Sequence, residues 1–264
     1  MKNKTAFITG ASSGIGEDLA YKLASKNSHL ILVARRLEKL KNIKAKCLKL
    51  GAKSVQIFKL DIQNSKDVQS FAKKNQKVFT DVSILVNNAG LAKGVELFQN
   101  SDTADWDQMI DTNVKGLLYL TRALLPIVIK NEGHIVNLGS VAGRLVYEGG
   151  AVYCATKFAV RAISDGLRMD LKGTRVRVTN IEPGMVNTEF SKVRLGSQQK
   201  ADAVYDNMMP LSAADISETI LWCLQRPSHV NIQELVIYPT DQATVGQVVR
   251  GERSTKSKKL KKRD

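Results

Sequence analysis

The sequence is short of the features that mark several protein classes. Its 264 residues include only three cysteines, Cys47, Cys154 and Cys223, which are widely spaced and have no histidine at metal-ligand spacing. A disulfide framework and a zinc site are therefore not expected. We expect each cysteine to be a reduced, partly buried thiol.

Long hydrophobic runs are also missing. No apolar run approaches the roughly 20 residues that cross a membrane, and a predicted strand begins within a few residues of the N-terminus, which leaves no space for a signal peptide. We therefore expect a cytoplasmic protein without a membrane partner. Linkers rich in Pro, Gly or Ser and repeats at solenoid spacing are missing too, so we expect residues 1–250 to form one domain.

Acidic residues are few compared with basic ones. The chain has 40 Lys and Arg against 25 Asp and Glu, a formal net charge of +15, which invites a nucleic-acid interpretation. Residues 250–264 hold eight of the basic residues and two acidic ones. The others are dispersed over predicted solvated helix faces such as 36–49, without interleaved aromatic residues that read bases, so nucleic acid is not an expected partner. We expect residues 251–264 to form a disordered tail that is either solubilising or weakly polyanion-binding.

Apolar runs and amphipathic segments alternate along the rest of the chain. Some runs are continuous, such as Leu-Ile-Leu-Val-Ala at 30–34, as in parallel strands that helices cover on both faces. The alternation predicts an α/β fold, a doubly wound parallel sheet of about seven strands with helices on both faces. The predicted strands are 4–9, 29–34, 55–60, 82–86, 134–139, 175–181 and 234–238. The predicted helices are 14–26, 36–50, 65–78, 103–130, 151–172 and 213–226.

The first predicted strand runs into a glycine-rich turn, with Gly10, Gly14 and Gly16 spaced as G-x-x-x-G-x-G. Gly10 permits a sharp turn, Gly14 exposes backbone N–H groups at a helix start to a pyrophosphate, and Gly16 lets the helix pack close to the strand. Ser12 and Ser13 add hydroxyl donors. The usual dinucleotide fingerprint is G-x-G-x-x-G, so an ordinary strand-to-helix loop is the alternative for this segment alone.

Three further strand ends carry polar residues at the same edge of the predicted sheet. Asp61 follows the third strand, where its carboxylate could accept from an adenine amino group or cap a helix. Asn87-Asn88-Ala89-Gly90 follows the fourth strand and suits a ligand-contacting turn or one that only stabilises the sheet. Arg35 and Arg36 follow the second strand, where NAD-binding proteins of this fold carry an acid for the ribose 2′-hydroxyl. Two guanidiniums there favour a 2′-phosphate, although both could instead open a basic helix and face solvent.

Ser140, Tyr153 and Lys157 are the main candidates for chemistry. Ser140 stands at the end of the fifth predicted strand, and Tyr153 and Lys157, four residues apart on the next helix, share one face. A nearby ammonium lowers the pKa of a phenol from its usual value of about 10, so Tyr153 is predicted to exchange a proton with a substrate oxygen. Asn113 lies in a long helical pattern with apolar neighbours, as either an exposed polar residue or a functional amide facing the cleft.

These motifs occur in the order and at the spacing of one family. From Thr9-Gly10-x-x-x-Gly14-x-Gly16 through Asn87-Asn88-Ala89-Gly90 to Ser140, Tyr153-x-x-x-Lys157 and Pro183-Gly184, the sequence resembles a short-chain dehydrogenase/reductase over nearly its whole length. The resemblance implies a Rossmann fold, a nicotinamide dinucleotide and a catalytic tetrad of Asn113, Ser140, Tyr153 and Lys157. It also implies Asp61 at the adenine, Asn87 beside the adenosine ribose and Thr188 near the nicotinamide carboxamide.

The motifs and the resemblance together predict a cofactor site, and the resemblance implies a homo-oligomer, either a homotetramer or a homodimer. The candidate cofactor-binding residues are Gly10, Ser12, Ser13, Gly14, Ile15, Gly16, Arg35, Arg36, Asp61, Ile62, Asn87, Ala89, Tyr153, Lys157, Pro183, Gly184, Val186 and Thr188.

A closer resemblance is to the NADP-dependent 3-hydroxy acid and serine dehydrogenases. It rests on segments 33–40, 153–160 and 190–194 and on residues 238–243, where Asp241 replaces the Asn of that subfamily's Pro-Thr-Asn-Gln-Ala. The resemblance implies an NADP(H)-dependent enzyme acting on the CH–OH group of a 3-hydroxy acid or a β-hydroxy amino acid such as serine. The alternatives are a reductase of neutral ketones or 3-oxoacyl substrates, and a non-catalytic dinucleotide-binding protein whose tail associates with nucleic acid.

The substrate is expected to carry a carboxylate. The family places a substrate lid after Pro183-Gly184, here near 187–211, and Arg194 lies within it, while Arg144 follows Ser140 by four residues. A planar guanidinium suits bidentate carboxylate binding, but either arginine could equally be a surface or subunit-interface residue.

The arginines after the second strand generate a test of cofactor choice. NADP(H) is expected to be preferred, because charge-assisted hydrogen bonds to a 2′-phosphate are roughly twice as strong as neutral ones. Replacing both residues, Arg35→Asp with Arg36→Ala, should shift the ratio of kcat/KM values for NADP(H) and NAD(H) toward NAD(H). A wild-type protein that favoured NADH would contradict the assignment.

Overall fold

A parallel β-sheet lies at the centre of the computed structural model, which describes residues 1–251. The strands, in chain order, are β1 (Thr5–Thr9), β2 (His29–Ala34), β3 (Ser54–Lys59), β4 (Val82–Asn87), β5 (His134–Leu138), β6 (Arg177–Pro183), β7 (Val186–Asn187), β8 (Leu211–Ser212), β9 (Glu234–Ile237), β10 (Gln242–Thr244) and β11 (Gln247–Val248). Seven of them form the central sheet in the order β3-β2-β1-β4-β5-β6-β9. The predicted doubly wound α/β architecture is confirmed, and its topological switch point lies between β1 and β4.

Helices cover both faces of this sheet. They are α1 (Gly14–Ala24), α2 (Leu37–Lys49), α3 (Ser65–Lys74), α4 (Gln76–Phe79), α5 (Thr103–Ile110), α6 (Leu117–Lys130), α7 (Ala151–Asp170), α8 (Glu189–Leu195), α9 (Gln198–Ala203) and α10 (Ala213–Leu224). Short 3₁₀ turns occur at Phe98–Asn100 and Val141–Gly143. Every predicted crossover helix is present, although the segments 65–78 and 103–130 each divide into two.

Successive residues of the central strands pack alternately into two hydrophobic layers, one on each face of the sheet. In β1, Ala6 and Ile8 pack into the layer formed with α1, α2 and α10, whereas Phe7 packs into the layer formed with α3 and α6. The Phe7 ring meets Phe79 edge-on, with centroids 5.4 Å apart. Burial on both faces explains why these strands are continuous apolar runs. The three cysteines are buried, unbridged thiols.

The long helix predicted over 103–130 contains a turn of another kind. A π-helical turn, Asp111–Gly116, joins α5 to α6, and Asn113 lies within it, only 2% exposed. Turns of this type are rare and concentrate at functional sites. By length and composition alone, Thr103–Lys130 could cross a membrane, but Leu120 and Leu124 pack fully buried against the sheet. Packing in the core therefore accounts for its apolar composition.

The segment predicted as a lid begins and ends at a short parallel ladder. β7 and β8 pair through Val186 with Leu211 and Asn187 with Ser212, and α8 and α9 lie between them. These two helices have seven and six residues, too few for a periodic pattern to indicate them. Gly251 is the last described residue, so the expectations for the rest of the basic tail, residues 252–264, lie outside the described residues.

Candidate active site

A cavity of about 340 Å³ opens at the carboxyl ends of the strands, beside the junction of β1 and β4. The predicted site residues that line it are Gly10, Ser12, Ser13, Gly14, Ile15, Arg35, Arg36, Asp61, Ile62, Ala89, Ser140, Tyr153, Lys157, Pro183, Gly184, Val186 and Thr188. Gly16, Asn87, Asn113, Arg144 and Arg194 are predicted residues outside this lining. Thr9 and Phe190, which stand in the quoted segments without a predicted role, also line the cavity, as do Leu91 and Glu189, to which no motif pointed.

The glycine-rich turn is shaped by close backbone approach. Gly10 and Gly14 adopt φ values of +61° and +57°, in the left-handed region that favours glycine. A Cβ on Gly10 would lie 2.9 Å from the Cα of Ala89, and a Cβ on Gly16 would lie 2.5 Å from the Asn88 Nδ2. The turn and the start of α1 thus expose bare backbone at the cavity, as a phosphate cradle requires.

Arg36 faces this cradle. Its Nε donates to the Ser12 Oγ at 3.1 Å and its Nη2 to the Ser13 Oγ at 2.7 Å. Arg36 is also 45% exposed, so it contacts the glycine-rich turn and solvent at the same time. Arg35 also lines the cavity, so both arginines that follow β2 border the same cavity as the glycine-rich turn.

Asp61 lies at the cavity and does not cap the helix that follows it. Its Oδ1 accepts from the backbone N–H of Gln63 at 3.2 Å. The N-cap of α3 is Asn64, whose Oδ1 accepts from the N–H groups of Lys66 and Asp67 at 2.9 and 3.3 Å. The helix-cap alternative for Asp61 is wrong, and its carboxylate stays available at the end of β3.

Asn87, which the resemblance places beside the adenosine ribose, does not line the cavity with its side chain. It is buried, and its Nδ2 donates to Thr121 at 2.9 Å and to Asn137 at 2.8 Å. Asn88 lines the cavity instead, and its Nδ2 donates to the carbonyl of Thr9 at 2.9 Å. The first amide of this turn thus holds the sheet together, and the second joins β4 to β1.

Ser140 and Tyr153 meet at the inner end of the cavity. Ser140 follows β5 in an extended conformation and accepts from the Ala142 N–H at 3.1 Å. Tyr153 is 8% exposed. Burial is the largest influence and raises the pKa of Tyr153, Tyr147 raises it further, and the hydrogen bond to Ser140 opposes both. Burial thus raises the pKa of this phenol, and the expected lowering of that pKa by the Lys157 ammonium stays a prediction.

Lys157 and Asn113 are held by backbone groups next to Tyr153. The Lys157 Nζ donates to the Leu138 carbonyl at 2.7 Å and lies 5.9 Å from the centre of the Tyr153 ring. Asn113 exchanges hydrogen bonds of 2.9 and 2.8 Å with the backbone of Leu91. A Cβ on Gly90 would lie 3.2 Å from the Asn113 Oδ1 and 3.6 Å from the Lys157 Nζ. Both polar side chains therefore converge at Gly90.

Arg144 is placed elsewhere than expected. Its guanidinium forms ion pairs with Glu182, which is fully buried on β6, and with Glu234 on β9. Arg161 adds a second cation to Glu234 at 3.0 Å. Because two carboxylates hold Arg144 outside the cavity, its guanidinium joins the loop after β5 to β6 and β9 and does not anchor a substrate there.

Arg194 of α8 reaches toward the phenol of Tyr153. Its Nε donates to the Gly94 carbonyl at 2.9 Å and its Nη1 to the Tyr147 hydroxyl at 3.0 Å. The guanidinium carbon lies 5.7 Å from the centre of the Tyr153 ring. Tyr147 was not predicted, since an aromatic residue in a loop carries no local signal of its role. A cation thus stands beside Tyr153 with two of its five N–H donors used by these contacts.

Known proteins are similar to this chain over most of its length. The family model described as short chain dehydrogenase matches residues 4–199. The NADP-dependent 3-hydroxy acid dehydrogenase YdfG of Escherichia coli strain K12 is 44% identical over 242 residues, which are 90% of this chain and 96% of that protein. Sulfoacetaldehyde reductase 2 of Chromohalobacter salexigens is 45% identical over 239 residues, 89% of this chain and 94% of that protein.

A solved structure is similar throughout. The closed form of serine dehydrogenase complexed with NADP+ matches this chain with a TM-score of 0.86 and 42% sequence identity. The match covers 94% of this chain and 100% of that one. The architecture and the order of the site-bearing strands are therefore shared with a protein that binds NADP+.

Lys157 supplies a test in which stability and activity move in opposite directions. Burial lowers the pKa of Lys157 from 10.5 to about 8, so below pH 8 the folded state carries the cost of a buried ammonium. Wild-type stability should rise as the pH increases from 8 to 10.5, because the unfolded chain then binds the extra proton. Lys157→Met should therefore raise the free energy of unfolding at pH 7 by about 1–3 kcal/mol while abolishing turnover.

Urea unfolding at pH 7, 8.5 and 10 measures this effect. The advantage of Lys157→Met over wild type should shrink as the pH rises. The exposed Lys130→Met, in the last turn of α6, is the control and should show no such trend. A stability difference that did not change with pH would contradict the buried charge.

Proposed function

We propose that this chain, which belongs to the short-chain dehydrogenase family, is an NADP-dependent oxidoreductase that interconverts a CH–OH group and a carbonyl by hydride transfer. The main support for the proposal is that Ser140, Tyr153 and Lys157 line the same cavity as the glycine-rich turn. A protein that only binds dinucleotides has no need of a proton donor beside its cofactor site. This argues against the non-catalytic alternative.

The cavity suits NADP(H). Bare backbone at Gly10 and Gly14 fits a pyrophosphate, and Arg35 and Arg36 offer positive charge where a ribose 2′-phosphate would lie. The relative YdfG is named as NADP-dependent, and the serine dehydrogenase structure holds NADP+. When bound, the nicotinamide ring accepts or supplies the hydride.

Other lining residues are proposed to hold the remainder of the cofactor. Asp61 and Ile62 line the cavity at the end of β3 and are proposed to contact the adenine. Thr188 precedes α8 and accepts from the Phe190 N–H at 3.3 Å. The further proposed contacts are Ser12, Ser13, Ile15, Ala89, Pro183, Gly184 and Val186.

Tyr153 is proposed as the general acid in reduction and the general base in oxidation. Because burial raises its pKa, the phenol holds its proton at neutral pH and can donate it to the carbonyl oxygen as the carbon receives the hydride. In the reverse direction the phenol must first lose that proton. The hydrogen bond from Ser140 and the positive charge of Lys157 would favour that loss, and Ser140 would also orient the carbonyl.

Asn113 is proposed to position a water molecule that relays protons to solvent. Its amide is fixed in place by the π-helical turn and by the backbone of Leu91. Its Oδ1 and the Lys157 Nζ converge at Gly90, so a water there would have both an acceptor and a donor.

The substrate is proposed to carry an anionic group, as in a 3-hydroxy acid or a β-hydroxy amino acid. Arg194 is the proposed anchor, because it lies beside Tyr153 and keeps N–H donors beyond those used by Gly94 and Tyr147. The relatives are named for 3-hydroxy acids and for sulfoacetaldehyde, whose carboxylate and sulfonate groups are both anionic. A neutral ketone has no use for this cation, which is why that alternative is less well supported.

We also propose that the protein is cytoplasmic and forms a homotetramer or homodimer. Large apolar side chains stand exposed on three elements outside the cavity: Leu118 on α6, Phe158 on α7 and Trp222 on α10 are each at least 40% exposed. Apolar surface of this kind suits contact with a second copy.

Removal of the Tyr153 hydroxyl tests the proposed chemistry. Tyr153→Phe should lower kcat by about 10²- to 10⁴-fold, because positioned proton transfer is lost, while the dissociation constant for NADPH changes little. The assay is the loss of NADPH absorbance with a panel of 3-oxo acids, sulfoacetaldehyde and neutral ketones. Near-normal turnover by Tyr153→Phe, or no turnover of any carbonyl by wild type, would count against an oxidoreductase of this type.

Arg194 tests the proposed substrate class. Arg194→Met should raise KM for acidic substrates by about 10- to 100-fold, the value of a charged hydrogen bond, and should change KM for neutral ketones much less. Arg175→Met is the matched control, since Arg175 is exposed and precedes the amino end of β6, at the opposite edge of the sheet. Equal effects on acidic and neutral substrates would remove Arg194 as the anchor.

A further inference from the structure

Glu189 places a carboxylate among the cations that follow β2. It is the first residue of α8, directly after the helix cap Thr188, and it lines the cavity. One carboxylate oxygen lies 2.7 Å from the Arg36 Nη1 and the other 2.6 Å from the Lys39 Nζ. The lid segment is thereby tied to the start of α2, across 153 and 150 residues of sequence.

The groups around Glu189 form a site for an anion. Arg36 also donates to the hydroxyls of Ser12 and Ser13, so its guanidinium is held over the glycine-rich turn. Lys39 adds a second cation one helical turn along α2, and neither Lys39 nor Glu189 was among the predicted site residues. Two cations at the end of β2 are the arrangement in which a 2′-phosphate would be bound.

We propose that Glu189 is an internal competitor for the cofactor 2′-phosphate, occupying Arg36 and Lys39 until the phosphate replaces it. The inference rests on the NADP dependence proposed above. It adds that Lys39 binds the 2′-phosphate and that Glu189 competes with the phosphate for the two cations. Affinity for NADP(H) is then the difference between two ion-pairing states of the same cations. A dinucleotide without the phosphate leaves the Glu189 contact undisturbed.

Charge decides the direction of the exchange. A phosphate monoester carries about −1.5 to −2 charges near neutral pH, more than the single charge of a carboxylate. The phosphate therefore displaces Glu189 from Arg36 and Lys39. Because this displacement costs the Glu189 ion pairs, the phosphate binds with lower affinity than it would if Glu189 were absent. Lys39, followed by Arg36, lowers the pKa of Glu189 to about 2, so Glu189 stays ionised and competes throughout the working pH range.

The exchange of Glu189 for the phosphate also affects the predicted lid segment, residues 187–211. Arg194, the proposed substrate anchor, lies on the same short helix, α8 (Glu189–Leu195). Displacing Glu189 removes one of the contacts between this helix and α2, while the Arg194 contacts with Gly94 and Tyr147 are untouched. A 2′-phosphate thus changes how the helix that carries Arg194 is held.

Isothermal titration calorimetry with two adenosine fragments tests the competition without turnover. The fragments are 2′,5′-ADP and 5′-AMP, which differ only in the 2′-phosphate. Glu189→Gln should tighten binding of 2′,5′-ADP by about three- to tenfold, as expected for the loss of exposed ion pairs, and should change binding of 5′-AMP less than about twofold. Glu189→Ala should do the same and removes the amide oxygen that could still accept from Arg36.

Glu38→Gln is the matched control. Glu38 lies two residues from Arg36, is exposed, and pairs with Lys41 at 2.8 Å, so the variant makes the same change of net charge near the site. It should leave both affinities unchanged. Circular dichroism confirms that each variant is folded before titration.

The outcomes separate this inference from the proposed function. Unchanged or weaker 2′,5′-ADP binding by both Glu189 variants overturns it, since Glu189 would then be neutral or would help to position Arg36. An equal gain for 5′-AMP, or for Glu38→Gln, also overturns it, because general electrostatics would explain the effect. Failure of NADP dependence is visible separately, in wild-type kcat/KM values that do not favour NADP(H).

Discussion

The hydrogen-bonded junction between the ends of β1 and β4 is the constraint on which the site depends. The Thr9 hydroxyl accepts from the N–H groups of Asn88 and Ala89 at 3.0 and 2.9 Å, and the Asn88 side chain donates back to the Thr9 carbonyl. The two strands part beyond this point, and the cavity opens where they do. Gly10 and Gly16 lie so close to the junction that a Cβ at either position would collide with it. The cradle therefore exists because the junction and the glycines fit together.

Burial sets the chemistry at the inner end of the cavity. It raises the pKa of Tyr153 and lowers that of Lys157, so both side chains are pushed toward their neutral forms. A neutral phenol is ready to donate a proton, but a buried ammonium costs stability. The Leu138 carbonyl, which accepts from Lys157, offsets part of this cost. The buried Lys157 ammonium thus lowers the stability of the folded chain at the site proposed for its function.

Much of the fold could be predicted from local patterns. His29–Ala34 was predicted to the residue, because a strand buried on both faces is a nearly continuous apolar run, here residues 30–34, between polar residues. The π-helical turn around Asn113 could not be predicted, since one extra residue in a turn barely alters a helical hydrophobic pattern. The residues proposed as catalytic could be singled out from the sequence because most of them are tied to a strand end or a helix face. Tyr147 and Glu189 were not, because neither belongs to a local pattern.

The sequence by itself determines which site residues follow which strand: glycines follow β1, arginines follow β2 and Ser140 follows β5. It also places Tyr153 one helical turn from Lys157 on α7, because strands and helices have fixed periods. The sequence does not determine which charged side chains pair with each other. Arg144 and Arg36 are the same residue type at similar strand-proximal positions, yet one is held by Glu182 and Glu234 and the other faces the cradle with Glu189. These partners lie tens of residues or more away along the chain, and only the pairing of distant strands brings them together. Burial, which governs the pKa of Tyr153, likewise arises from the packing of several elements at once, so no local pattern carries it.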